Sequence, residues 1–211
     1  MKKFDIIIPL VIFCLWAPFL AAQNPGADKS LTWFNKTEGG VSFGIGSFNT
    51  NIVNGIQKRI KNDEIVVTFQ TVNGVKYLNR LSIGVSIGVE KWQNGLFWPI
   101  YGYLGYTLKP TDNTLFANLY LGSGIGTRYA TSFYEQGKGG FAMSIGLGYQ
   151  MRISKKLLFV YEVFYKYQAL ESTYYRINDV TQDSVTMQVK TAVNYKVPLH
   201  FAGFKIGLRF P

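Results

Sequence analysis

The sequence predicts an all-β protein: a closed antiparallel up-and-down transmembrane β-barrel of eight strands, with ten as the alternative. Three observations predict it. Apolar residues recur with a period of two, and no 3.6-residue pattern is sustained. The second face of that alternation carries small residues instead of solvated charge. Aromatic residues and glycine are abundant, with 16 Phe, 14 Tyr, 4 Trp and 22 Gly beside a single Cys among 211 residues.

The first element is a leader over residues 1–22. Lys2 and Lys3 give a positive start, Ile6 to Leu15 is an apolar run broken by Pro9, and Ala21 and Ala22 supply small residues for cleavage before Gln23. A retained anchor is the alternative, but the run falls short of the ~20 residues a helical span needs. A lipid-modified Cys14 is a third reading, disfavoured by the bulk of Phe13. Cleavage would remove Cys14 and with it any disulfide. Residues 23–38 are polar and aperiodic and read as a short tether, leaving 39–211 for the barrel.

Leu81, Ile83, Val85, Ile87 and Val89 alternate with Ser82, Gly84, Ser86, Gly88 and Glu90. Phe141 to Arg152 repeats the pattern, as does Phe204 to Phe210. Val41, Phe43 and Ile45 alternate with Ser42, Gly44 and Gly46 in a strand near 39–49. Noisier alternation places strands near 63–72, 114–126 and 157–168, and the strand near 96–108 is apolar on both faces. Pro99 in the fourth segment points to a strand end or a bulge. Connections around Asn73–Asn79, Lys109–Asn113 and Ser154–Lys156 are short, and those on the other end are mostly longer, the asymmetry of membrane barrels. The longest, Ala169 to His200, contains its own alternation from Val185 to Val193. That stretch reads either as an extension of the sheet or as the two extra strands of a ten-stranded barrel.

A soluble barrel turns its apolar face inward and a richly charged face to water. Gly, Ser and Ala with a few charges serve that purpose badly. They suit the crowded interior of a narrow barrel, with the bulky face against lipid and no open edge. The expected interior charge network is Glu64, Glu90, Arg152, Glu162, Lys166, Lys205 and Arg209, paired because unpaired buried charge is costly. Trp92, Phe97, Trp98, Tyr149, Tyr161, Tyr165 and Phe210 fall near strand ends and are expected to form an interfacial aromatic girdle. Tyr174, Tyr175 and Arg176 in the longest connection are expected to form a contact surface.

Phe69-Gln70-Thr71-Val72-Asn73-Gly74, Leu81 to Glu90 and Asn94-Gly95-Leu96-Phe97-Trp98-Pro99-Ile100 resemble the small, porin-like outer-membrane β-barrel proteins of Gram-negative bacteria. Gly139-Gly140-Phe141, Ile153 to Lys156 and the closing Phe204 to Phe210 extend the resemblance over roughly residues 39 to 211. It implies an outer-membrane location in the cell envelope. It also implies that the last strand is read by the barrel-assembly machinery, although Pro211 here follows the terminal aromatic. The net charge of +10 is dispersed, with no nucleic-acid motif. Outer-membrane lipids and the phosphates of lipopolysaccharide are the partners such charge suits.

No metal or cofactor motif is present. The Gly-x-Gly pairs lie inside strands with no following helix. The sole imidazole base, His200, stands at the boundary of the last strand near Glu171, Ser172 and Ser184, with no nucleophile spacing. The reading is therefore a non-enzymatic barrel with a structural or surface-interaction role. A narrow channel for small solutes is the alternative, and a lipid-modifying enzyme stands behind both.

Overall fold

The period-two segments all become strands. The computed structural model describes residues 31–51, 57–93, 95–126, 136–182 and 185–210. Its strands are β1 (Leu31–Ile45), β2 (Ser47–Asn51), β3 (Gln57–Lys61), β4 (Ile65–Tyr77), β5 (Leu81–Trp92), β6 (Gly95–Thr107), β7 (Thr114–Gly126), β8 (Gln136–Ser154), β9 (Leu157–Gln182) and β10 (Val185–Phe210). Eight of them close into a barrel in the order β1-β10-β9-β8-β7-β6-β5-β4, while β2 and β3 form a separate hairpin. Every neighbouring pair in the barrel is antiparallel.

One end carries the first and last described residues, Leu31 and Phe210, and the short connections between Tyr77 and Leu81, Thr107 and Thr114, and Ser154 and Leu157. We call it the turn end. The other, the hairpin end, carries β2–β3, which leaves β1 through Gly46 at φ 77°, a conformation glycine adopts without steric cost. It also carries the long β9–β10 arm. β8 accompanies β9 only as far as Thr173, and β1 accompanies β10 only from His200 onward. Beyond those points the two strands pair with each other alone, out to Gln182 and Val185.

Two expectations are corrected here. The segment from Val185 to Val193 lengthens β10 and adds no barrel strand, so the ten-strand alternative falls. The tether expected over 23–38 is strand from Leu31 onward, paired with β4 from Leu31↔Tyr77. Its polar residues alternate in register even though hydrophobicity does not. Residues 1–22, the expected leader, lie outside the described residues.

Alternation sorts the side chains as expected. Val67, Phe69, Ile83, Val85, Leu104, Leu121, Ile145, Leu147, Val163, Phe204 and Ile206 all stand exposed on the outer wall. Serines, glycines and charges of the same strands point inward. β6 resolves the segment that was apolar on both faces: Leu96, Trp98, Leu104 and Tyr106 are exposed, while Phe97, Pro99, Tyr101 and Tyr103 are buried. Pro99 has no N–H to give a ladder. The β5–β6 register accordingly passes from Ile87↔Ile100 to Glu90↔Phe97 with no pair between, while Pro99↔Gly124 holds on the β7 side.

Candidate functional site

The enclosed interior is where the described residues concentrate their chemistry. It is layered along the barrel axis, and the layers follow from strand register.

Nearest the turn end, Arg209 donates to Ser82 Oγ at 3.0 Å and to Gln150 Oε1 at 3.4 Å. Its guanidinium lies over the Phe34 ring, 4.2 Å from the centroid.

The next layer is a four-charge cluster. Lys36 and Glu38 project from the same face of β1 because they are two residues apart. Glu162 and Lys205 are directly opposed across β9 and β10. Lys36 Nζ meets Glu38 at 2.7 Å and Glu162 at 3.7 Å. Lys205 Nζ meets Glu38 at 3.2 Å and Glu162 at 3.4 Å. Two cations and two anions thus cancel. Neutral donors complete the carboxylates: Gln70 Nε2 at 2.6 Å and Tyr120 OH at 2.8 Å to Glu38, and Asn118 Nδ2 at 2.6 Å to Glu162. Tyr120 OH also accepts from Lys36 at 2.7 Å. Two glycines make room. A Cβ on Gly40 would meet Lys205 Cγ at 2.6 Å, and one on Gly146 would overlap the Glu162 carboxylate and the Asn118 amide.

Above this lies a second ion pair. Lys166 Nζ donates to both oxygens of Glu90, at 2.5 and 2.6 Å, and Trp92 Nε1 donates to Glu90 at 3.3 Å. Glu90 stands on β5 and Lys166 on β9, four strands apart whichever way the barrel is followed. Lys36 on β1 and Tyr120 on β7 are separated in the same way. Both contacts are therefore struts across the full width of the lumen. The enclosed space lined by Gln70, Glu90, Tyr101, Tyr120, Ser144 and Lys166 is only about 10 Å³, room for about one water. The unpartnered Ser144 Oγ beside it would suit that water.

At the hairpin end an apolar cluster closes the lumen: Val66, Trp92, Phe97, Leu170, Val197, Leu199 and Phe201, with Phe48 of β2 packed against it. Trp92 lies 4.9 Å from Phe97 and 5.1 Å from Phe201, centroid to centroid.

Five of the seven expected network residues, Glu90, Glu162, Lys166, Lys205 and Arg209, are buried in this interior. Arg152 is a correction. It sits at the turn end, about half exposed, and pairs with Asp112, because the β8–β9 register shifts between Arg152 and Ser154 and ends the inward alternation. Glu64 precedes β4 at the hairpin end and is half-buried. Sequence reasoning missed Lys36, Glu38, Gln70, Asn118 and Tyr120. The first two lay in the supposed tether; the only available signal was the polar alternation Lys36, Glu38 against Asn35, Thr37.

The girdle is corrected in part. Trp92 and Phe97 are fully buried inside the barrel, because they share the inward parity of Glu90 and Tyr101. Trp98, Tyr161, Tyr165 and Phe210 are exposed on the outer wall, and Tyr149 pairs with Tyr161 at 5.8 Å between centroids. His200 also lies on the outer wall, its Nδ1 2.5 Å from Tyr165 OH. The backbones of Tyr174, Tyr175 and Arg176 run in the β9–β10 arm; their side chains lie outside what the structure describes. Among the described residues no group of three His, Cys, Asp or Glu could hold a metal.

No family model and no curated protein matches the chain. Solved structures do. The solid-state NMR structure of the outer membrane protein AlkL in DMPC lipid bilayers is similar over 89% of this chain and 92% of its own, with 14% identity and a TM-score of 0.53. Neisserial surface protein A is similar over 84% and 99%, with 9% identity and a TM-score of 0.41. The KdgM porin is similar over 83% and 98%, with 10% identity and a TM-score of 0.30. With the eight-stranded topology, the likeness to AlkL gives this chain the fold of a small outer-membrane β-barrel.

Proposed function

We propose that the chain is exported by a cleaved leader, inserts into the bacterial outer membrane, and acts there as a non-conducting, non-enzymatic barrel. Its role is structural or contact-forming, exercised through the β2–β3 hairpin and the β9–β10 arm. Insertion is supported by the outer wall. Large apolar side chains exposed on all eight barrel strands would be costly in water and suit hydrocarbon. The turn end then faces the periplasm, because short connections lie there in membrane barrels. The hairpin end faces outward, where exposed Arg59, Lys61, Lys91 and Lys196 suit the phosphates of lipopolysaccharide.

The observation that carries the non-conducting reading is the pair of struts across the lumen, with space for a single water between them. An eight-stranded barrel is just wide enough to be filled by its own side chains. The test is single-channel recording on the refolded protein in planar bilayers. We expect no resolved conductance steps. A stable open state passing ions or small solutes would overturn the reading in favour of a narrow channel.

A further inference from the structure

On the outer wall a ladder of four polar side chains interrupts the apolar strand faces across β1 and β4. Asn35 faces Asn73 and Thr37 faces Thr71 in the β1–β4 register. All four are half-buried, on the outward parity shared by Trp33, Val41, Phe69 and Tyr77. Asn35 Nδ2 donates to Asn73 Oδ1 at 2.8 Å and to Thr71 Oγ1 at 3.1 Å. Thr37 Oγ1 donates to Asn35 Oδ1 at 3.3 Å and stands 3.2 Å from Thr71 Oγ1. The Asn73 amide nitrogen has no acceptor among the described residues.

The surroundings are bulky and apolar. Across β10 lie Phe210, Leu208 and Ile206, paired with Asn35, Thr37 and Gly39. Across β5 lie Val85 and Ile87, paired with Asn73 and Thr71. Toward the turn end, Trp33 and Tyr77 are exposed on the same wall, so the polar ladder is bounded by apolar residues along the strands as well as across them. Gly39 continues the strip of small side chains, and a Cβ there would meet only Thr68 O at 3.7 Å and Phe69 Cδ2 at 3.9 Å.

We propose that this strip is a self-association surface that pairs two copies of the chain in the membrane. The inference rests on the membrane reading above. Acyl chains offer nothing to hydrogen-bond, and apolar walls gain little by leaving one apolar solvent for another. Amides and hydroxyls both donate and accept, so an identical strip on a second copy is complementary to this one. The free Asn73 N–H groups find acceptors in the partner's Asn and Thr oxygens. Small side chains let the walls approach closely, and the Gly39 notch deepens that approach. The strip occurs on one side of the barrel, so pairing about a two-fold axis along the membrane normal closes at a dimer instead of growing into a chain.

The test uses the full chain refolded into phosphatidylcholine bilayers, with donor and acceptor dyes on the N-terminal amine and energy transfer followed over a range of protein-to-lipid ratios. Insertion is read separately, from heat-modifiable gel mobility. Wild type is expected to show reversible dimerisation. Asn35→Val/Asn73→Val should weaken it by about tenfold or more while mobility stays native, since valine suits both strand and lipid. Gly39→Leu should block it sterically. Leu147→Ala on β8 should leave it unchanged. Inserted protein that stays monomeric at every ratio overturns the dimer and leaves the membrane reading standing. Dimerisation untouched by the Asn and Gly variants overturns the assignment of this surface. Monomers that retain phospholipid through purification, and lose it in the Asn variant, would make a lipid headgroup the occupant and also overturn it. Protein that fails to insert overturns both readings.

Discussion

Lys166 and Glu90 stand on diametrically opposite strands and meet in the buried centre of the barrel, with the ammonium 2.5 and 2.6 Å from the two carboxylate oxygens. Such a contact ties the two halves of the wall together across the lumen. The four-charge cluster one layer below does the same through Lys36 and Tyr120, and leaves its own charges balanced. Pairing matters more here than the number of charges, since removing one partner strands the other in a low-dielectric interior.

Either Glu90→Gln or Lys166→Met alone should destabilise the barrel by roughly 3–5 kcal/mol. The double variant Glu90→Leu/Lys166→Met should cost far less than the sum, because no charge is then left unpaired. Reversible urea unfolding in lipid vesicles measures all three. A double variant as unstable as the two singles combined would refute the pairing argument.

Gly146→Ala should be costly despite adding one methyl group. Its Cβ would be forced into the Glu162 carboxylate and the Asn118 amide, which bond each other at 2.6 Å. We expect a loss of about 1–3 kcal/mol, seen as a lower temperature for the shift in gel mobility. Gly39→Ala, with only ordinary contacts around its Cβ, should leave that temperature unchanged.

Trp92 and Trp98 should report opposite environments although six residues separate them in sequence. Trp92 is 0% exposed inside the barrel, and Trp98 is 47% exposed on its outer wall. In bilayers of brominated lipid, a variant retaining Trp98 alone should be strongly quenched, and one retaining Trp92 alone should not. Equal quenching would mean that β5 is slipped by one residue, which exchanges its faces.

The turn from β4 to β5 offers a gain. Leu78 and Asn79 both have positive φ, 49° and 55°, and Arg80 N donates to Tyr77 O at 3.0 Å, the geometry of a type I′ turn. A leucine in the left-handed region costs about 1–2 kcal/mol, and Leu78 is exposed. Leu78→Asn should therefore stabilise the barrel by about 1 kcal/mol in the same urea titration.

Much of the architecture was legible in the chain itself. Alternation in Leu81–Glu90, Phe141–Arg152 and Phe204–Phe210 announced strand, and the chemistry of the two alternating faces announced which one pointed inward. That inference needs only the fixed period of a strand. It failed in two ways. Where both faces are polar, as at Asn35–Glu38, hydrophobicity carries no period, and two members of the central ion cluster were assigned to a tether. Near strand ends, position alone did not reveal face: Trp92 and Phe97 were assigned to the wall, yet their parity with Glu90 and Tyr101 turns them inward.

The sequence by itself determined that the chain alternates, that the bulky face is the one turned outward, and that several charges are enclosed, because these follow from local stereochemistry and the cost of burying charge. The tertiary structure alone decided which charges meet. Glu90 finds Lys166, and Lys36 finds Tyr120, only because closing eight strands in this register sets β5 against β9 and β1 against β7. Closure and register likewise bring Asn35, Thr37, Thr71 and Asn73 into one ladder on the outer wall, a relation between strands that no pattern within a single strand can express.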